Sequence, residues 1–152
     1  MIQTNVLPTI IVCDDSPSDR KLVIMAFQKA MIRNPILEIG DGEELMDYLL
    51  RQGRHKDRNL SHNPHVILLD LNMPRKNGLE VLSEIKSNPK LQSIPIIMLT
   101  TSKADEDVIR SYKLGVNSFV TKPVHLEEFM EAIRKLGQFW LELVALPDEP
   151  RT

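Results

Sequence analysis

A single cysteine, Cys13, occurs in 152 residues, so no internal disulfide framework can form. No apolar run approaches the roughly 18–20 residues that span a bilayer. Met1 to Pro8 has neither a basic region nor a long apolar stretch, so no secretory signal is expected. An excess of one charge is missing as well: 19 Lys plus Arg face 21 Asp plus Glu, a formal net charge of -2. That balance removes the general electrostatic pull toward nucleic acid. No G-x-x-x-x-G-K-[ST] loop is present, which argues against a nucleoside triphosphate as phosphoryl donor. Internal repeats and low-complexity tracts are also absent. What is there is 42% hydrophobic and 26% charged residues, the profile of a folded domain. The expectation is a reduced, cytoplasmic protein with one core and no partner in membrane or nucleic acid.

Short apolar runs alternate with longer amphipathic stretches. The runs are Thr9–Asp14, Ile36–Ile39, His65–Asp70, Ile94–Thr100 and Ser118–Lys122, the last stopped by Pro123. Continuous β-branched character in the first suits a strand buried on both faces. Between them, Ser18–Met31 is rich in helix formers, and Leu45, Tyr48 and Leu49 make a helical stripe behind Asp41 and Gly42. Leu79, Leu82 and Ile85 follow Gly78 in the same way. Ser102, with Asp105 three residues on, reads as an N-cap, and Gly115 as the stop of that helix. Leu126, Phe129, Ile133 and Leu136 mark the last helix. Strand then helix, five times, predicts an α/β fold: a doubly wound five-stranded parallel sheet with helices on both faces. In such sheets the ligand crevice lies at the carboxyl ends of the strands.

Asp14 and Asp15 close the first run, Asp70 the third, Thr100 the fourth and Lys122 the fifth. Singly, each has an ordinary structural explanation: a helix cap, a β-former, a solvated cation. Gathered at one edge, three carboxylates repel one another and raise each other's pKa unless a cation joins them. An all-oxygen set favours Mg²⁺ or another hard divalent ion, which commonly works beside a phosphate. A carboxylate can be the nucleophile that forms an aspartyl phosphate. Asp70 would fill that role, with Lys122 and Thr100 on the phosphoryl oxygens.

Four marks then stand in order: Asp14-Asp15; Asp70-Leu71-Asn72-Met73-Pro74 with Gly78; Leu99-Thr100-Thr101; and Lys122-Pro123. With these the chain, from about Thr9 to Leu136, resembles the receiver domain of two-component response regulators, a flavodoxin-like fold. The resemblance implies Asp70 as phosphoacceptor and Mg²⁺, or Mn²⁺ in its place, on Asp14, Asp15, Asp70 and the backbone carbonyl of Asn72. It implies Thr100 as the switch hydroxyl, Lys122 as the phosphoryl partner, and a cis Lys122–Pro123 bond. The family's switch aromatic, often Tyr, is here Phe119, which has no hydroxyl to hydrogen-bond when it turns inward; Phe119 as plain core is the other reading. The resemblance also implies a switch that takes its phosphoryl group from a histidine kinase, with only weak self-phosphorylation and self-dephosphorylation.

The basic segment before the third run and the ending Phe139 to Pro147 resemble the small response regulators that partner cyanobacterial phytochromes and pair through their last helix region. Residues 7–137 are then the receiver and 138–152 a C-terminal extension. Phe139, Trp140, Leu143 and Val144 prolong the helical stripe beyond Leu136 and are expected to form a homodimer interface. Gly137 is expected to bend the chain there. The segment Arg51–Pro64 reads as a solvated loop or a docking loop. Two other function classes stay open: a hydrolase with an aspartate nucleophile, and a scaffold that is not phosphorylated.

Overall fold

The structure, a computed structural model, describes residues 9–56, 64–111, 113–116 and 118–135. Five strands, β1 (Ile10–Cys13), β2 (Ile36–Ile39), β3 (Val66–Asp70), β4 (Ile96–Thr100) and β5 (Ser118–Thr121), form one sheet in the order β2-β1-β3-β4-β5. Every neighbouring pair is parallel. The helices are α1 (Pro17–Lys29), α2 (Gly42–Leu50), α3 (Gly78–Lys86), α4 (Lys103–Ser111) and α5 (Leu126–Arg134). This is the doubly wound architecture expected from the alternating pattern.

The continuous apolar runs are explained by the two-sided burial. Ile10, Val12, Leu68, Leu99 and Val120 point to one face and pack with Val23, Phe27, Phe129 and Ile133 of α1 and α5. Their neighbours Ile11, Cys13, Ile67, Leu69 and Met98 point to the other face, against α2, α3 and Ile109 of α4. In β1, β3 and β4, buried along their whole length, alternation feeds both cores and no polar position is tolerated until the strand ends, whereas the edge strand β2 exposes Glu38. Phe27 and Phe129 meet edge to face at 4.7 Å between ring centroids, locking α1 to α5.

Several boundaries differ from the sequence reading. Helix α1 starts at Pro17, not Ser18, because the Asp19 N–H donates to Ser16 Oγ at 3.2 Å. Proline at the first helical position loses no hydrogen bond. The helix ends at Lys29, since Met31 adopts φ 63°. Helix α4 ends at Ser111 and not near Gly115; Lys113, at φ 53°, already leaves the right-handed region. Asn77 and Glu80 form a reciprocal capping box on α3. Within Arg51–Pro64, Gly53–His55 makes a 3₁₀ turn, and Arg54 and His55 both reach Glu44 Oε2, at 2.8 and 3.2 Å. That portion is therefore tied to α2; residues 57–63 lie outside the described residues.

Candidate functional site

Asp14 follows the last residue of β1 and is held by its own backbone: its N–H donates to Ile39 O at 3.0 Å and its carbonyl accepts from Arg20 Nη1 at 2.6 Å. Its side chain is fully buried, and Oδ1 accepts the Ser16 N–H at 2.9 Å. Asp15 is exposed beside it. Asp70 ends β3, is only 2% exposed, and accepts the Asn72 N–H at 3.3 Å. Asp14, Asp15 and Asp70 each offer an oxygen within 4.8 Å of the others. The parallel register brings them together: β1 and β3 are adjacent, and Cys13 pairs with Leu69.

Lys122 arrives from β5. Its backbone N–H donates to Thr100 O at 2.7 Å, which sets its start beside β4. From there the ammonium crosses the sheet edge. Nζ lies 2.7 Å from Asp14 Oδ2, 3.0 Å from Asp19 Oδ2 and 3.2 Å from Asp70 Oδ1. The approach to Asp14 is an ion pair and not an aligned hydrogen bond, so Asp14 Oδ2 has no hydrogen-bond partner among the described residues. Thr100 Oγ1, fully buried, also lacks one. The Lys122–Pro123 peptide is cis, as expected.

The electrostatics follow from burial and crowding. Burial first, and then the charge of Asp14, push Asp70 up from 3.8 to about 6, against the opposing pull of Lys122. For Lys122 burial acts downward, but Asp14, Asp19 and Asp70 outweigh it and hold the ammonium above the ordinary lysine range. Burial raises the Cys13 thiol far above its ordinary value. Its Sγ sits 3.7 Å from Met73 Sδ and 3.7 Å from Asp41 O, a packed core group and not a nucleophile.

The structure thus unites Asp14, Asp15, Asp70, Thr100 and Lys122 at one edge, with Asn72 on the rim. Phe119 stands apart on the α4 side, half-buried, with Arg110 stacked over its ring. Phe139, Trp140, Leu143 and Val144 lie outside the described residues. Sequence reasoning missed Asp19 and Arg20. Asp19 sits in the first turn of a helix, where an acid is ordinary; the usable signal was that α1 starts at the same sheet edge as the other carboxylates.

The donor set fits a hard divalent cation. All three converging side chains are carboxylates, and a positive group, the Lys122 ammonium, already stands against two of them. No described helix is long and apolar enough to cross a membrane.

Known proteins share this fold. A family model described as the response regulator receiver domain matches residues 10–134. Response regulator Rcp1 of Synechocystis sp. is 40% identical over 145 residues, 95% of this chain and 97% of that protein. The bacteriophytochrome response regulator RtBRR superposes with a TM-score of 0.87 at 42% identity, over 96% of this chain and 85% of that one. The Mn(2+)-bound form of Rcp1 superposes with a TM-score of 0.71 at 41% identity, over 92% and 99%. Matches of this extent, carried on the same five-stranded parallel sheet, make the chain a member of the response regulator receiver domain family.

Proposed function

We propose that this chain is a phosphoacceptor switch: it takes a phosphoryl group from a histidine kinase, a phytochrome, onto Asp70. The observation that carries this reading is the Lys122 ammonium between Asp14 and Asp70, at 2.7 and 3.2 Å, with the unpartnered Thr100 hydroxyl at the end of the neighbouring β4. A phosphoryl group on Asp70 would give both Lys122 and Thr100 an anionic oxygen to bind. The phytochrome partner rests on likeness to RtBRR, a bacteriophytochrome response regulator, and to RcpA, a cyanobacterial phytochrome response regulator.

In the transfer, an Asp70 oxygen attacks phosphorus, the phosphorus–nitrogen bond of the phosphohistidine breaks, and its electron pair returns to the imidazole. Asp14, Asp15, Asp70 and the Asn72 carbonyl would hold Mg²⁺, with Mn²⁺ able to replace it. When bound, the ion offsets charge on the phosphoryl oxygens. Lys122 supplies the remaining positive charge and links the phosphoryl group to β5. Thr100 donates its hydroxyl, and Phe119 turns inward as an apolar plug. Self-phosphorylation from small donors and self-dephosphorylation are weak side activities of the same site. The protein works in the cytoplasm as a homodimer, with 7–137 as receiver and Phe139, Trp140, Leu143 and Val144 of the 138–152 extension as the interface.

The hydrolase reading is disfavoured because the position two residues after Asp70 is Asn72, which cannot transfer protons. Incubation with acetyl phosphate and Mg²⁺ separates the cases by intact mass. A lasting acid-labile adduct, abolished by Asp70→Asn, is the expected result. Rapid turnover of many phosphate esters would instead identify a hydrolase, and no adduct a scaffold. Lys122→Ala is expected to accept phosphate without the conformational response. Sedimentation of the parent against a Phe139→Ala, Trp140→Ala double variant tests the interface.

A further inference from the structure

Lys122 has three carboxylate contacts, and two of them are with the residues that converge for a cation. The third, Asp19, lies outside that group. It comes from the first turn of α1, and its Oδ2 accepts from Lys122 Nζ at 3.0 Å. Asp19 is one-third exposed, whereas the Lys122 side chain is only 12% exposed. The ammonium is therefore sandwiched, with Asp14 and Asp70 on its inner side and Asp19 on its outer side.

A divalent cation entering between Asp14, Asp15 and Asp70 meets a competitor. Lys122 already takes up Asp14 Oδ2 and Asp70 Oδ1. An ammonium this enclosed gives up those contacts at high cost unless another anion receives it. Asp19 is within contact distance and is not needed by the cation.

We propose that Asp19 is a positioning residue, the dock that holds Lys122 when a divalent cation displaces it from Asp14 and Asp70, so that cation and lysine occupy the site together. The inference rests on the metal reading given under Proposed function. Its consequence is directional. Without Asp19 the lysine stays on Asp14 and Asp70, and the cation must compete for them.

Titration calorimetry with Mg²⁺, and spin-resonance titration with Mn²⁺, measure this on the full chain without any phosphoryl donor. Asp19→Asn should weaken Mg²⁺ binding about three- to tenfold, which is about 0.7–1.4 kcal/mol. Asp19→Glu should stay within about twofold of the parent, since a carboxylate remains in reach. Lys122→Met should bind Mg²⁺ more tightly than the parent, having lost the competitor. In the Lys122→Met background, Asp19→Asn should change affinity less than about twofold. That last comparison separates a dock for Lys122 from a general field effect of one carboxylate. Equal weakening in both backgrounds, or parent-like binding by Asp19→Asn, overturns the proposal and leaves the metal site standing. A parent that takes up no Mg²⁺ overturns both together.

Discussion

The guanidinium of Arg110 lies over the ring of Phe119, with its central carbon 4.4 Å from the ring centroid. The two residues come from α4 and β5, and the contact holds the ring on the α4 side of the sheet. Arg110 also stands 3.9 Å from Glu106, a buried acid one turn back. A tyrosine at position 119 would hold either orientation through its hydroxyl. Phe119 has only its ring face and its area: it packs, partly buried, against the core on that side, and the cation above it is a specific contact that holds the ring where it stands.

Removing that restraint should favour the switched state. A partly exposed cation–π contact is worth about 0.5–1 kcal/mol. Arg110→Ala should therefore raise the phosphorylated fraction at limiting donor about two- to fivefold. Phosphate-affinity electrophoresis across a donor titration reads this directly. An unchanged titration would show that the stacked arginine does not restrain Phe119.

Stability should depend on pH through Asp70. Its carboxyl is raised from 3.8 to about 6 in the folded chain, so between those values the folded state binds more protons than the unfolded one. Stability therefore falls as pH rises through that window. Asp70→Asn removes this dependence. In chelator at pH 7 the variant should be the more stable protein. Its advantage should shrink by roughly 1 kcal/mol on going to pH 5. Denaturant melts of both proteins at the two pH values give the difference, in which the carboxylates remote from Asp70 cancel.

Thr100 offers a second stability test. Its buried Oγ1 has no hydrogen-bond partner among the described residues, and the rest of the residue is packed in β4. Thr100→Val keeps the shape and removes the desolvated hydroxyl. The unphosphorylated variant should gain about 1 kcal/mol, while the phosphoryl group loses a donor and its lifetime changes. Melts without donor and decay of the labelled protein measure the two effects separately.

Gly78 is where the site and the packing meet. A Cβ there would stand 2.2 Å from Asp70 O and 2.8 Å from Leu71 Cα, both backbone atoms that cannot swing aside. Gly78→Ala should cost roughly 1–3 kcal/mol and slow labelling of Asp70, because relief requires moving the strand end that carries the carboxylate. Denaturant melts and labelling rates together check this. A variant as stable and as reactive as the parent would mean that the loop yields freely.

The sequence by itself carried the order of elements and the five residues at the sheet edge. Both follow from local rules. Strands buried on two faces must be apolar until they end, so the first polar residues after Cys13, after Leu69 and after Leu99 mark where the crevice begins. Helix limits were less legible, because a cap such as Ser16 or a left-handed residue such as Lys113 depends on the hydrogen bonds the neighbouring chain leaves available. The three carboxylates around Lys122, the stacking of Arg110 on Phe119 and the shared pairing of Arg54 and His55 on Glu44 were decided only by tertiary structure. Long charged side chains have many partners within reach of their own sequence. Which one they take is set by how the packed elements place them, and Asp19, 103 positions before Lys122, becomes its neighbour only once α1 and β5 share the same sheet edge.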